Sequence, residues 1–197
     1  MGKTVGLISV EGSRDSLKLK IQDTIRGSIQ EDRFSYVKKH LLISKLHGIG
    51  ISQQILLAEI SKMILNGAKI IVVDNLDFIC RNDHDMKSET YLKLNQIAIE
   101  NKLHIIVVWQ PNKISRDRWI SSGDQKGYSM SLQDSDNYLT MNKTINGVCI
   151  QIEKTRERGI SLGQDKLWFD WDDKLRIYVE QIRFTKGQYE GKLINLF

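Results

Sequence analysis

The stretch KIIVVDNLDF, residues 69–78, decides how this chain folds. A β-rich apolar run ends in Asp74, and a second carboxylate, Asp77, lies three residues on. A short continuous apolar run of this kind fits a strand buried on both faces. The acid at its carboxyl end has two readings. It is either a polar strand terminus or the group that holds the Mg²⁺ of a bound nucleotide, because ligands of α/β sheets collect at that edge. The rest of the chain has to choose between them.

On the carboxyl side, a polar loop over residues 80–87 leads to a segment, 88–101, with Leu92, Leu94, Ile97 and Ile99 spaced as a buried helix. Residues 103–109, LHIIVVW, then read as another apolar strand. On the amino side, Ser52 is placed to cap a helix with Ile55, Ala58, Ile60 and Ile64 on its apolar face, and Asn66-Gly67 is a stop signal. Before it come a short apolar run, residues 41–44, and the Gly-containing turn His47-Gly48-Ile49-Gly50. The chain opens with a strand over residues 5–10 and a helix over 14–28, capped by Ser13 and carrying Leu17, Ile21 and Ile25 at helical spacing. Strand and helix alternating in this rhythm imply an α/β fold with a parallel sheet and right-handed crossovers.

The second half changes character. A polar stretch, residues 111–133, separates Trp109 from apolar-patterned runs at 137–141, 148–153, 166–169 and 175–179, which read as antiparallel or hairpin-connected strands. A connection that long inside a domain is uncommon and points to function or mobility. It carries Lys113, Arg116, Arg118 and Lys126, and Trp119 and Tyr128 are placed to stack on bases. Trp109, on its strand, reads as a core residue, and Trp168, Phe169 and Trp171 as cover for the sheet.

Composition narrows the class. The 197 residues fit one domain, with 41% hydrophobic and 27% charged residues as in ordinary soluble globules. No apolar run approaches a membrane span and the N-terminus lacks a signal-peptide pattern, so the chain reads as cytoplasmic with no membrane partner. Cys80 and Cys149 have no His or Cys neighbours at zinc spacing and read as packing residues. A net charge of +5 mildly favours a polyanionic partner.

Three further features stand in order along the chain. Glu11, in ISVEGS after the first strand, is either a plain strand-end acid or a base that orients the water attacking a γ-phosphate. Gln110, directly after LHIIVVW, is a surface amide or a sensor of a γ-phosphate. Lys154 and Arg156, after VCIQIE, belong to a solvated basic hairpin or to an arginine finger that reaches a neighbour's nucleotide.

Together these segments resemble the RecA-like C-terminal helicase domain of the DnaB-type replicative helicases, and within them the phage primase-helicases. The resemblance runs from about Gly2 to Tyr178 and rests on MGKTVGLISVEGS, KIIVVDNLDF, HIIVVWQPNK, GYSMSLQDSDNYLTMNK and IEKTRERG. It implies a P-loop NTPase core over residues 1–183, with 184–197 as a C-terminal tail that docks on a neighbour or frays. It also implies ATP and Mg²⁺ as cofactors, Glu11 as catalytic base, Asp74 as the Mg²⁺-coordinating acid, Gln110 as γ-phosphate sensor, and Lys154 with Arg156 as a basic pair acting in trans. Lys113, Arg116, Arg118 and Lys126 would line a channel for single-stranded DNA, within a homo- or hetero-oligomeric ring.

One element departs from the family. A phosphate-binding loop needs G-x-x-x-x-G-K-[ST] after a strand and opening a helix. Gly2-Lys3-Thr4 copies only its last letters and leads into the strand VGLISV, so it is not read as that loop. The N-terminal P-loop strand and helix are therefore expected to be absent, and the chain alone to be inactive. The expectation is a split or truncated helicase whose P-loop comes from a separate polypeptide. The alternatives are a catalytically silent paralogue that binds single-stranded DNA or docks on a helicase ring, and an unrelated α/β protein.

Overall fold

A computed structural model of the chain describes residues 2–10, 14–26, 31–46, 51–80, 83–111, 119–121, 124, 134–144, 147–156, 166–172, 177–181 and 193–194. Its first half is a four-stranded parallel sheet formed by β1 (Thr4–Ser9), β2 (Leu41–Lys45), β3 (Ala68–Asp74) and β4 (His104–Val107), in the order β2-β1-β3-β4. Gly2 and Lys3 lead into β1 and open no helix, as expected from the sequence.

The helices are α1 (Arg14–Arg26), α2 (Glu31–His40), α3 (Gln53–Leu65), the short α4 (Asp77–Cys80) and α5 (His84–Asn101). Ser52 caps α3 by accepting from the Ile55 N–H at 3.3 Å. The helix stops where Gly67 takes φ +84°, a left-handed conformation that glycine adopts without penalty.

The core lies between the sheet and the pair α3 and α5. Ile8, Ile71 and Val73 of the sheet meet Leu56, Ile60 and Met63 of α3 and Tyr91 and Leu94 of α5. The buried face of α3 is thus Gln53, Leu56, Ile60 and Met63, one step round from the face read from sequence, and Ile55 is 45% exposed. A similar correction applies to α5. It begins at His84, capped by the Asp83 carboxylate, so the expected polar loop over 80–87 is largely helical. Leu92 and Ile99 point outward, while Lys87, Thr90, Tyr91 and Leu94 are buried. Two apolar residues spaced by two cannot both face inward on a helix. Inside the core interface, the Gln53 amide donates to Thr90 Oγ1 at 2.8 Å, and Lys93 donates to Gln53 Oε1 at 2.9 Å, which ties α3 to α5.

The second half is an antiparallel sheet in chain order, β5 (Asn137–Lys143), β6 (Gly147–Thr155), β7 (Lys166–Asp172), β8 (Ile177–Gln181) and β9 (Leu193–Ile194). β9 is part of the expected tail and pairs with β8 of the same chain. Thr140, Asn142, Cys149 and Glu153 are buried in this sheet, whereas Leu139, Met141 and Trp171 are exposed. Both cysteines are buried thiols outside any disulfide, in keeping with packing roles. No helix of the described residues is long and apolar enough to cross a membrane.

Candidate functional site

The parallel strands deliver their carboxyl ends to one edge. Ser9 and Asp74 are register partners there, and the Val10 N–H donates to the Asp74 carbonyl at 2.8 Å. The Val108 N–H donates to the Val73 carbonyl at 2.9 Å, which carries β4 to the same edge. Asp74 therefore sits between the strand that leads into Glu11 and the strand that leads into Gln110. Its carboxylate is half-buried and has no ion-pair or hydrogen-bond partner among the described residues.

The chain then turns through Asn75, joined to Asp74 by a cis peptide, into α4. Asn75 is buried, and its side-chain oxygen accepts the Phe78 N–H at 3.3 Å. This cap starts α4 and aims Asp77 back toward the sheet edge.

Asp77 is the junction of the site. One carboxylate oxygen pairs with Lys87 Nζ at 2.8 Å, and the other accepts the Gln110 N–H at 3.2 Å. The Lys87 side chain is 2% exposed and its ammonium lies 5.5 Å from the Trp109 ring centroid. Trp109 stacks on Tyr91 with centroids 5.1 Å apart, the packing role read from its place on the strand. A buried ion pair, clamped by an aromatic ring, thereby fixes the backbone of Gln110 beside the tip of β3. The sequence reading named Asp77 without a role and missed Lys87, because a pair ten residues apart across a turn leaves no local signal.

The structure brings Asp74, Asp77 and Gln110 to one edge. Lys154 lies in the last rungs of the β5–β6 pairing and Arg156 directly follows β6. Arg156 pairs with Asp136 at 2.9 Å, and its N–H donates to the Asp136 carbonyl at 2.9 Å. Burial, reinforced by the nearby Arg156 charge, pushes the Lys154 ammonium below the usual lysine range. Glu11, Lys113, Arg116, Arg118, Lys126 and Tyr128 lie outside the described residues.

Part of the polar stretch before β5 is anchored on the antiparallel sheet. The Ile120 N–H donates to Asn142 Oδ1 at 2.6 Å, and the Asn142 amide returns a bond to the Ile120 carbonyl at 3.2 Å. This holds Trp119, 42% exposed, edge-on to Trp168 at 5.6 Å, with Lys166 Nζ 4.8 Å from the Trp119 ring centroid.

The residues fit Mg²⁺ only in part. Mg²⁺ takes one or two carboxylates together with phosphate oxygens, and Asp74 is a carboxylate open at the ligand edge of the sheet. No group of three or more metal-binding side chains exists among the described residues, so Asp74 could act only alongside a nucleotide's own oxygens.

No family model matches the chain. No curated protein matches it either. Among solved structures, the chain is similar to a KaiC-like protein from the hyperthermophilic archaeon Pyrococcus horikoshii, with 19% identity and a TM-score of 0.59 over 88% of this chain and 75% of that one. The parallel sheet, its crossovers and this likeness together establish a RecA-like α/β fold.

Proposed function

We propose that this chain is the RecA-like part of an ATP-driven DNA helicase of the DnaB type, working in a ring together with a P-loop. The observation that carries the reading is the juxtaposition of Asp74, open at the tip of β3, with Gln110, held beside it through Asp77 and Lys87. Bound ATP would supply the phosphoryl group and Mg²⁺ would neutralise its charge. Asp74 would hold the ion, Gln110 would sense the γ-phosphate, and Glu11, two residues after β1 in the sequence, would orient water. Lys154 and Arg156 would serve the site of the next subunit.

The test follows ATP hydrolysis by the purified chain alone and in a mixture with a P-loop-bearing segment, with and without single-stranded DNA. The chain alone is expected to show no turnover and the mixture DNA-stimulated turnover. Arg156→Ala should abolish that turnover and leave nucleotide binding intact. Ready hydrolysis by the chain alone would overturn the reading that Gly2-Lys3-Thr4 is no phosphate-binding loop.

A second reading, a silent module that binds single-stranded DNA, is favoured by the Trp119–Lys166 pair, an aromatic face beside a cation on an exposed surface. DNA binding without any restored hydrolysis would select it.

A further inference from the structure

We propose that Asp136 is the positioning residue of Arg156, holding its guanidinium at the end of the β5–β6 ladder so that it is aimed before a neighbouring subunit's phosphate arrives. This inference rests on the role in trans proposed above for Arg156 and adds the group that orients it.

The base on which Arg156 stands is rigid. β5 and β6 pair in antiparallel register from Lys143 and Val148 to Asn137 and Thr155, with one irregularity between Tyr138 and Leu139. Tyr138 faces Lys154 and Leu139 faces Ile152, so Glu153 is the extra residue of a bulge on β6. Glu153 is buried, and its carboxylate accepts from Thr140 Oγ1 at 3.2 Å and from the Gln151 amide at 3.0 Å. The bulge is thus pinned from inside the sheet. Bulges re-aim the side chains around them, and those that follow here are Lys154 and Arg156.

Asp136 meets Arg156 twice. Its carbonyl accepts the Arg156 N–H at 2.9 Å, one rung beyond the last strand pair, and its Oδ1 accepts from Arg156 Nη1 at 2.9 Å. Backbone and tip are therefore fixed to the same residue. The segment that carries Asp136 is itself tethered, because the Asn95 amide on α5 donates to the Asp134 carbonyl at 3.3 Å.

Folding gains little from this ion pair. The two side chains are 51% and 63% exposed, and pairs in that setting contribute little to stability. Its effect on direction is larger. Arginine carries its charge on a planar fork, so a bond to one arm restricts how the whole plane turns, while the exposed remainder stays within reach of an anion. Charge balance supports the same role. Burial and then the Arg156 charge lower the Lys154 ammonium, and Asp136 and Asp134 oppose them. Two cations two residues apart can be held together because these acids stand near them. A cation aimed in advance needs little reorganisation when charge develops on a transferring phosphoryl group.

The experiment measures ATP turnover in the mixture with the P-loop-bearing segment for the wild type, Asp136→Ala and Asp136→Glu. Asp136→Ala should lower kcat about 10-fold or more and leave KM unchanged, because a misaimed group weakens the transition state rather than ground-state binding. Asp136→Glu keeps the carboxylate and should recover most of the rate. Two measurements on the chain alone separate aim from folding. The melting temperature and the exchange rate of the Arg156 amide should match wild type in Asp136→Ala, since the carbonyl bond needs no side chain. A wild-type kcat in Asp136→Ala, an equal loss in Asp136→Glu, a loss confined to KM, or a lower melting temperature with a faster Arg156 amide overturns the positioning role and leaves the helicase reading standing. Absence of turnover in the wild-type mixture defeats that reading, and this inference with it.

Discussion

Replacing Lys87 with Met removes a charge from the least forgiving place in the site. Lys87 is 2% exposed on its side chain and Asp77 12%, with 2.8 Å between the charged atoms. Breaking a buried pair by deleting one partner costs about 3–5 kcal/mol, because the surviving charge is left in a medium that solvates it poorly. Asp77 keeps the Gln110 N–H at 3.2 Å and a little solvent, so the cost should fall near the low end, about 3 kcal/mol. Loss of the cation over Trp109 adds about 1 kcal/mol. For a chain of this length each kcal/mol lowers the melting temperature by about 2–4 °C, so Lys87→Met should melt roughly 8–16 °C below wild type. Asp77→Asn strands the deeper charge and should cost about 5 kcal/mol. The double variant strands neither, so it should be more stable than the sum of the two losses by about 2–3 kcal/mol. Urea unfolding of the four proteins, with m-values compared, gives the cycle. A Lys87→Met variant within about 1 kcal/mol of wild type, or strictly additive losses, would refute the view that this pair is a coupled clamp on Gln110.

Other expectations can be checked with the same preparations. A Cβ at Gly147 would collide with the backbone carbonyl oxygen of Phe169, whereas one at Gly6 would meet the flexible Met63 sulfur; Gly147→Ala should therefore destabilise by about 1–3 kcal/mol and by more than Gly6→Ala, as denaturant midpoints would show. Burial, helped by the Glu153 charge, pushes the Tyr138 phenol up to about 12. The folded state thus favours the neutral phenol, and that stabilisation is complete below the unfolded value of about 10 and lost as the pH climbs toward 12. Tyr138→Phe should flatten the loss of stability over that window; identical pH profiles would remove the effect. If Lys113, Arg116, Arg118 and Lys126 all touch DNA phosphates, the log–log salt slope for single-stranded DNA should be about −3, and neutralising Arg116 and Arg118 should reduce it by about half. A flat response would end the channel assignment.

Much of the α/β half was legible in linear order. Runs such as IIVV before Asp74 and the Ser52 cap specify strand and helix through local sterics and local hydrogen bonds, and they reappear in β3 and α3. Helical phase was harder to read. Leu92 and Ile99 look like core residues by type, yet α5 turns Lys87 and Thr90 inward because Asp77, Cys80 and Gln53 wait there to satisfy them. A polar residue becomes a core residue only when its partner arrives from another part of the chain.

The same division holds for the site. By itself the sequence determined that an acid ends β3 and an amide follows β4, since each is set by the residue next to its own strand. Which acid stays open, which is locked in a salt bridge, and which strand is left at the edge were decided by tertiary structure. Strand order and crossover hand are properties of how distant segments pack, and no window of the chain contains them. Asp74 is open because Asp77, not Asp74, meets Lys87. β4 is exposed because three of the four parallel strands lie to one side of it.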